Sequence, residues 1–251
     1  MSTTKQAITR AQASLLPWIA DLGAVTADAL AMLQATTDRC ARARLAAAGR
    51  ADLVTHSRPL AGAPAIYTLT RGGLRDCGLS TTEAVRVSPA NATHLITCAE
   101  AAAALACRYP DHAALGERAL RRCERQAGTV LASAALGRGP SGEPLLHRPD
   151  LVLWPVDGAS RPVAVEVELT VKAPRRLVQI CRAWARCQEV AGVLYLAAPP
   201  VEMPLARAIA EADAGETIVV LPLCALSELE PAADGGGTGV DPNRRTVADP
   251  A

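Results

Sequence analysis

The chain contains no phenylalanine, and only three Trp and three Tyr supply its aromatic rings. A core built on aromatic side chains is thereby excluded. Packing must rest on aliphatic residues and close helix approach, and half of the 251 residues are apolar, enough to bury a sizeable core. The scarcity of aromatics beside abundant Ala, Arg and Gly matches GC-rich coding. No pair of cysteines has CxxC spacing. Cys40, Cys77, Cys98, Cys107, Cys123, Cys181, Cys187 and Cys224 are scattered, which argues against a disulfide framework and a spaced zinc site. They read as reduced thiols used as small hydrophobes. No apolar run approaches membrane-span length, and the opening MSTTKQAITR has no hydrophobic leader segment, so the expectation is a soluble, cytoplasmic protein with no membrane partner. Net charge is also lacking: at +1, nothing in the whole-molecule balance draws the chain to a polyanion.

Local charge says more. Residues 36–58 carry Arg39, Arg42, Arg44, Arg50 and Arg58 against Asp38 and Asp52, and residues 175–186 add Arg175, Arg176, Arg182 and Arg186 with no acid. Five acids from position 227 onward conceal these clusters in the total. The first cluster falls within a recognisable plan. Leu15, Leu16, Ile19 and Leu22 mark a helix over 11–22, with Pro17 predicting a kink or a later start. Thr26 caps a short helix ending at Leu33, and a tight turn at 35–37 leads into a third over 38–48. A strand at Leu53-Val54, the loop HSRPLAGAP, a return strand AIYTLT and a final turn capped by Thr70 complete the segment. Three helices and a two-stranded ribbon are the winged helix-turn-helix plan. In it the third helix, carrying Arg39, Arg42 and Arg44, enters the major groove, where Arg39 and Arg42 share an outward face, while the wing brings His56, Ser57 and Arg58 to phosphates.

Residues 80–90 form a polar connector ending in Ser88-Pro89. A helix over 92–107 follows, with His94 near its start as a capping or packing residue. A second helix over 113–126 carries Glu117, Arg118, Arg121, Arg122 and Glu124. It reads as a solvated face with i,i+4 pairs that could also lie along a phosphate backbone. From 129 the pattern is α/β: a strand over 129–136, a Gly/Pro/Ser loop, the strand LVLW, a turn at Asp157-Gly158, the strand VAVEVELTV, a helix over 174–190, the strand GVLYLAA, a helix over 201–214 and the strand TIVVLPL. Beyond Leu229 the Gly/Pro/Asp-rich run reads as disordered.

The stretch 148–176 concentrates the chemistry. Pro149-Asp150 opens one strand. On the next, Val163, Val165, Val167, Leu169 and Val171 alternate with Ala164, Glu166, Glu168, Thr170 and Lys172. Two glutamates on one face repel and need an offset from solvent, arginine or a divalent cation. With Asp150 from the neighbouring strand, Asp150 and Glu166 become candidate ligands for Mg²⁺, which takes oxygen donors. Glu168 or Lys172 would position or deprotonate a metal-activated water, and Lys172 would offset transition-state charge. That is the reaction class of a metal-dependent DNA endonuclease.

Pro149-Asp150, the Glu166-Val167-Glu168 triplet and the order α-β-β-β-α-β resemble the PD-(D/E)xK, or restriction-endonuclease-like, superfamily. Glu168 stands where that motif carries lysine, and Lys172 lies four residues further on. Taken with the winged-helix pattern, HRPDLVLW and VAVEVELTVKAPRRL, the chain over about 10–225 resembles the replication-relaxation family of actinobacterial plasmids and mobile elements. The resemblance implies an α+β, two-domain protein: a winged helix-turn-helix over 1–79, a helical connector over 80–112, a restriction-endonuclease-like α/β domain over 113–228 and a disordered tail over 229–251. It implies double-stranded DNA as partner, contacted by Arg39, Arg42, Arg44, Arg58, Arg175 and Arg176, and a role in plasmid replication and DNA relaxation. Whether the nuclease-like half cuts is left open. The alternative is a transcriptional regulator whose C-terminal half only dimerises or binds a partner. A homodimer is a candidate, although no heptad or apolar stripe identifies its interface.

Overall fold

The structure, a computed structural model, describes residues 10–158 and 160–228; the stretch from 229, expected to be disordered, lies outside the described residues. The fold is mixed α+β. It opens with α1 (Arg10–Leu22), α2 (Ala27–Leu33), α3 (Asp38–Arg50), the antiparallel hairpin β1 (Val54–Ser57) and β2 (Ile66–Leu69), and α4 (Arg71–Asp76). Thr26 and Thr70 cap helices as expected, and Thr37, expected only in the turn before the third helix, does the same. Thr26, Thr37 and Thr70 each accept a hydrogen bond from a first-turn backbone N–H, at 3.1, 3.3 and 3.0 Å. Pro17 neither kinks α1 into two nor delays its start; it sits inside the helix on the exposed side, while Leu15, Leu16 and Ile19 face inward. These leucines pack with Leu30, Leu45, Val54 and Leu69 into one aliphatic cluster.

The chain continues through α5 (Pro89–Arg108), β3 (His112–Gly116), α6 (Glu117–Ala127), β4 (Ala134–Arg138), β5 (Pro144–His147), β6 (Leu151–Pro155), β7 (Val163–Glu168), α7 (Pro174–Ala185), β8 (Gly192–Ala197), α8 (Pro199–Glu211) and β9 (Ile218–Pro222). Five strands form one sheet in the order β3-β6-β7-β8-β9; β3, β6 and β7 are antiparallel neighbours, and β7, β8 and β9 are parallel, joined by α7 and α8. The α5 helix covers one face through Ala101, Ala102 and Leu105 against Val165 and Val167, with Trp18 and Leu22 of α1 at the margin. The other face packs on α7 and α8 through Ala164, Val193, Leu177, Trp184 and Leu205.

Four sequence expectations need correction here. Residues 112–116 are a strand, not the first turn of the helix, because they pair along their whole length with β6; non-local pairing overrides the helical preference of Ala and Leu. The strand expected over 129–136 is instead half of a separate hairpin, β4 with β5. The β7 strand stops at Glu168, so Val171 is exposed rather than part of the apolar face. The helix α7 ends at Ala185, short of 190. Among the described residues no helix is long and apolar enough to cross a membrane.

Two devices hold the sheet to the rest. The first is close approach: a Cβ on Gly116 would meet the carbonyl oxygen of Asp21 at 2.8 Å, so the end of α1 rests directly on the β3–α6 junction, where Asp21 also pairs with Arg122 at 3.0 Å. The second is a buried carboxylate. Glu124 of α6 accepts from Ser133 Oγ at 2.5 Å, Leu131 N at 3.2 Å and Arg148 Nε at 2.9 Å, fixing the chain two residues before Asp150. The expected helix face with Glu124 in solvent is thus only half right: Glu124 points inward. Removing one partner of a buried ion pair strands the other. Glu124→Ala should therefore destabilise the protein by about 2–4 kcal/mol, short of the full range because water can rejoin the partly exposed Arg148. A change in urea unfolding free energy below about 0.5 kcal/mol, the size of an ordinary surface substitution, would contradict this clamp.

Candidate functional site

Asp150 lies just before β6, where the sheet order sets it beside the second half of β7. Its two carboxylate oxygens do different things. Oδ2 accepts the backbone N–H of Val167 at 2.8 Å, which fixes the side chain's orientation. Oδ1 is 3.0 Å from Nε2 of His94, a residue 56 positions earlier on α5. Cys98 is one helical turn beyond His94, on the same face, with Sγ 3.5 Å from the same nitrogen. All three donor atoms lie within 4.8 Å of one another. Hydrogen bonding to Asp150 holds His94 above the ordinary imidazole pKa against the opposing effect of burial. Burial, and then the charges of Asp150 and Glu166, push the Cys98 thiol far up.

The acidic strand has the alternation the sequence predicts, with an outcome that the pattern alone does not give. Glu166 and Glu168 are each only 4% exposed. They point at the α7 side of the sheet, and their charges are offset by neighbours from three elements. Glu166 Oε1 is 2.7 Å from His147 Nε2 at the end of β5 and accepts from the indole Nε1 of Trp184 on α7 at 3.1 Å. Glu168 pairs with Lys172, which folds back on it from beyond the strand. Burial drives the Glu166 carboxyl above its usual range; His147 pulls it down, and the charge of Asp150 pushes it up again.

Asp150, Glu166, Glu168 and Lys172 therefore gather around one end of β7, but not into one pocket. Asp150 is engaged from the α5 side and Glu166 from the α7 side, and these helices cover opposite faces. A shared Mg²⁺ does not fit this arrangement. Such an ion keeps several waters and an octahedral oxygen shell, whereas Glu166 is sealed in with ring N–H donors and the donor atoms gathered with Asp150 Oδ1 are nitrogen and sulfur. His94, Cys98, His147 and Trp184 were not singled out by sequence reasoning as site residues. The one available signal was the i,i+4 spacing of His94 and Cys98 within an Ala-rich helix.

Two basic surfaces accompany these groups. Arg42 and Arg58 line a groove of about 600 Å³ between α2, α3 and the hairpin loop. Arg39 and Arg58 are exposed, Arg42 is held by Asp38 at 2.8 Å, and Arg44 turns to Gln34 and is half-buried. Arg175 and Arg176 stand exposed at the start of α7, Arg176 donating to Gln179 at 3.0 Å. The second surface is a groove of about 700 Å³ between the 81–91 connector, α5 and α6. Arg86, Arg118, Arg121, Arg122 and Arg125 line it, and His94, Cys98 and Asp150 belong to its wall.

A family model described as replication-relaxation matches residues 16–193. Comparison with curated proteins and with solved structures returned no match.

The buried Glu166 makes a signed prediction. Its folded-state pKa is raised above the ordinary 4.5. A raised value contributes stability that is complete below the unfolded pKa and is lost as pH rises through the folded one. Wild type should therefore lose stability relative to Glu166→Gln as pH climbs above about 4.5, seen as urea midpoints that move apart in favour of the glutamine variant. A wild type that gains on the variant over the same window would contradict burial as the controlling influence.

Proposed function

The chain belongs to the replication-relaxation family, and from that premise we propose that it is a double-stranded DNA-binding protein acting in plasmid or mobile-element replication and DNA relaxation. The observation that carries this reading is the arginine-lined groove with Asp150 in its wall. Five arginines against Glu83, Glu117 and Asp150 suit a polyanion better than an acidic or apolar ligand: the guanidinium groups track phosphates, and Asp150 marks where chemistry on one of them would act.

The N-terminal part supports the same partner. Three helices and an antiparallel hairpin in that order suit a winged helix-turn-helix, with α3 in the major groove and the loop after β1 against the backbone. Arg39 and Arg58 are the residues best disposed for contact. Arg42 would exchange Asp38 for a phosphate or base, and Arg44 serves mainly to hold Gln34. In the C-terminal part, α5, β3, β6, β7, α7 and β8 run in the order helix, three antiparallel strands, helix, strand, once α6 and the β4–β5 hairpin are set aside as an insertion. This supports a restriction-endonuclease-like ancestry. The corresponding reaction is hydrolysis of a phosphodiester, with Asp150 at the scissile group and Arg175 and Arg176 flanking the end of β7.

A second reading has its own support. Glu166 and Glu168 are satisfied from within by His147, Trp184 and Lys172, as befits a half that no longer cuts and only binds a partner or a second copy in a regulator.

Two measurements separate the readings. For DNA binding, affinity should fall steeply with salt, and Arg39→Ala with Arg58→Ala should reduce the log–log slope by roughly 0.9 for each phosphate contact removed. An unchanged slope would remove α3 and the hairpin loop from the interface. For cutting, supercoiled plasmid incubated with divalent ions should be nicked by wild type and left intact by Asp150→Ala. Intact plasmid with wild type under every ion would remove the cutting reading.

A further inference from the structure

We infer that His94 Nε2, Cys98 Sγ and Asp150 Oδ1 form a three-ligand site for a borderline transition-metal ion of the zinc type, with its fourth position open to the arginine-lined groove. The ligand set rests on geometry alone; its use on DNA rests on the reading proposed above.

Three observations carry the inference. The donors converge: one nitrogen, one sulfur and one oxygen lie mutually within 4.8 Å, two of them from adjacent turns of α5 and the third from the residue just before β6. The two separations that involve His94 Nε2 are close to those of a tetrahedral shell. Bonds of about 2.3 Å to sulfur and 2.0–2.1 Å to imidazole nitrogen put those two atoms about 3.6 Å apart, and the structure has them at 3.5 Å. For nitrogen and carboxylate oxygen the same construction gives about 3.3 Å, against 3.0 Å here. Finally, Asp150 is oriented from behind. Its Oδ2 is fixed by the Val167 N–H, leaving Oδ1 as the coordinating atom, and such support for a ligating carboxylate is a usual feature of metal sites.

The chemistry of the donors selects the ion. A thiolate and an imidazole favour zinc, cobalt or their neighbours over Mg²⁺, which takes hard oxygen ligands. On coordination Cys98 releases its thiol proton and His94 presents a neutral Nε2. Thiolate and carboxylate together then balance the two charges of the ion. Three protein ligands leave one position for water or a phosphate oxygen, the arrangement of a catalytic rather than a closed structural site. With Arg118, Arg121, Arg122 and Arg125 beside it, that position would receive a phosphodiester oxygen.

The test uses the full chain, stripped with a chelator and titrated with Co²⁺ in the absence of DNA. One equivalent should bind with the intense visible bands of a tetrahedral cobalt centre and a near-ultraviolet thiolate-to-cobalt band, and Zn²⁺ should displace it. Cys98→Ser should abolish the thiolate band, while His94→Ala and Asp150→Asn should each weaken binding by roughly 100-fold or more, beyond the loss seen for outer-sphere partners. Cys123→Ser, a cysteine on α6 outside the cluster, should leave the spectrum unchanged, and circular dichroism checks that each variant is folded. A folded Cys98→Ser that keeps the thiolate band, or a wild type that binds no cobalt, overturns the inference. The nicking assay then addresses DNA cutting by itself. A bound ion without nicking leaves the site standing and removes the cutting reading. Nicking by Mg²⁺ alone, undiminished in Cys98→Ser, keeps the cutting and overturns the use of this site on DNA.

Discussion

The Asp150 carboxylate joins parts of the chain that are far apart in sequence. One oxygen holds the backbone of β7, and the other reaches α5. The residue just before it is a proline, and the one before that, Arg148, is anchored to the buried Glu124. So the position of this acid is set by a helix on one side, a strand on the other and a buried ion pair behind it. A surface aspartate would be free to choose its rotamer. This one has both oxygens committed, and that pre-orientation makes the group beside it chemically meaningful.

The two glutamates of β7 play a different part. Burying two carboxylates within one strand is costly unless each has a donor. The fold provides an imidazole and an indole for one and an ammonium for the other, drawn from β5, α7 and the loop after β7. The largest buried side chain, Trp184, is thus part of the core and a hydrogen-bond donor at once. In a protein without phenylalanine this is a notable use of a scarce ring. The acids are polar groups built into the α7 interface, while the groove side of the sheet is left to Asp150, His94 and Cys98.

Much of the architecture was legible because its signals are local. Thr26 and Thr70 announce helix starts within three residues of the N–H groups they cap, and the alternation from Val163 to Glu168 assigns the faces of β7 without reference to anything distant. What was missed depends on partners far along the chain. His112–Gly116 reads as helix until β6 pairs with it. Lys172 reads as a strand residue until the strand ends at Glu168 and the chain turns back. His94 reads as a helix-start residue because nothing nearby says that Asp150 will arrive beside it, and Cys98 reads as a small hydrophobe for the same reason. Asp150 itself was legible from its Pro-Asp setting. Its companions were not, since periodicity assigns a residue to a face without saying what will pack there.

The donors around Asp150 decide what this end of the sheet can hold. X-ray absorption on the zinc-loaded protein measures them directly. One sulfur at about 2.3 Å together with nitrogen and oxygen at about 2.0–2.2 Å is the shell that His94, Cys98 and Asp150 require. A shell of oxygen and nitrogen alone, without sulfur, would contradict it.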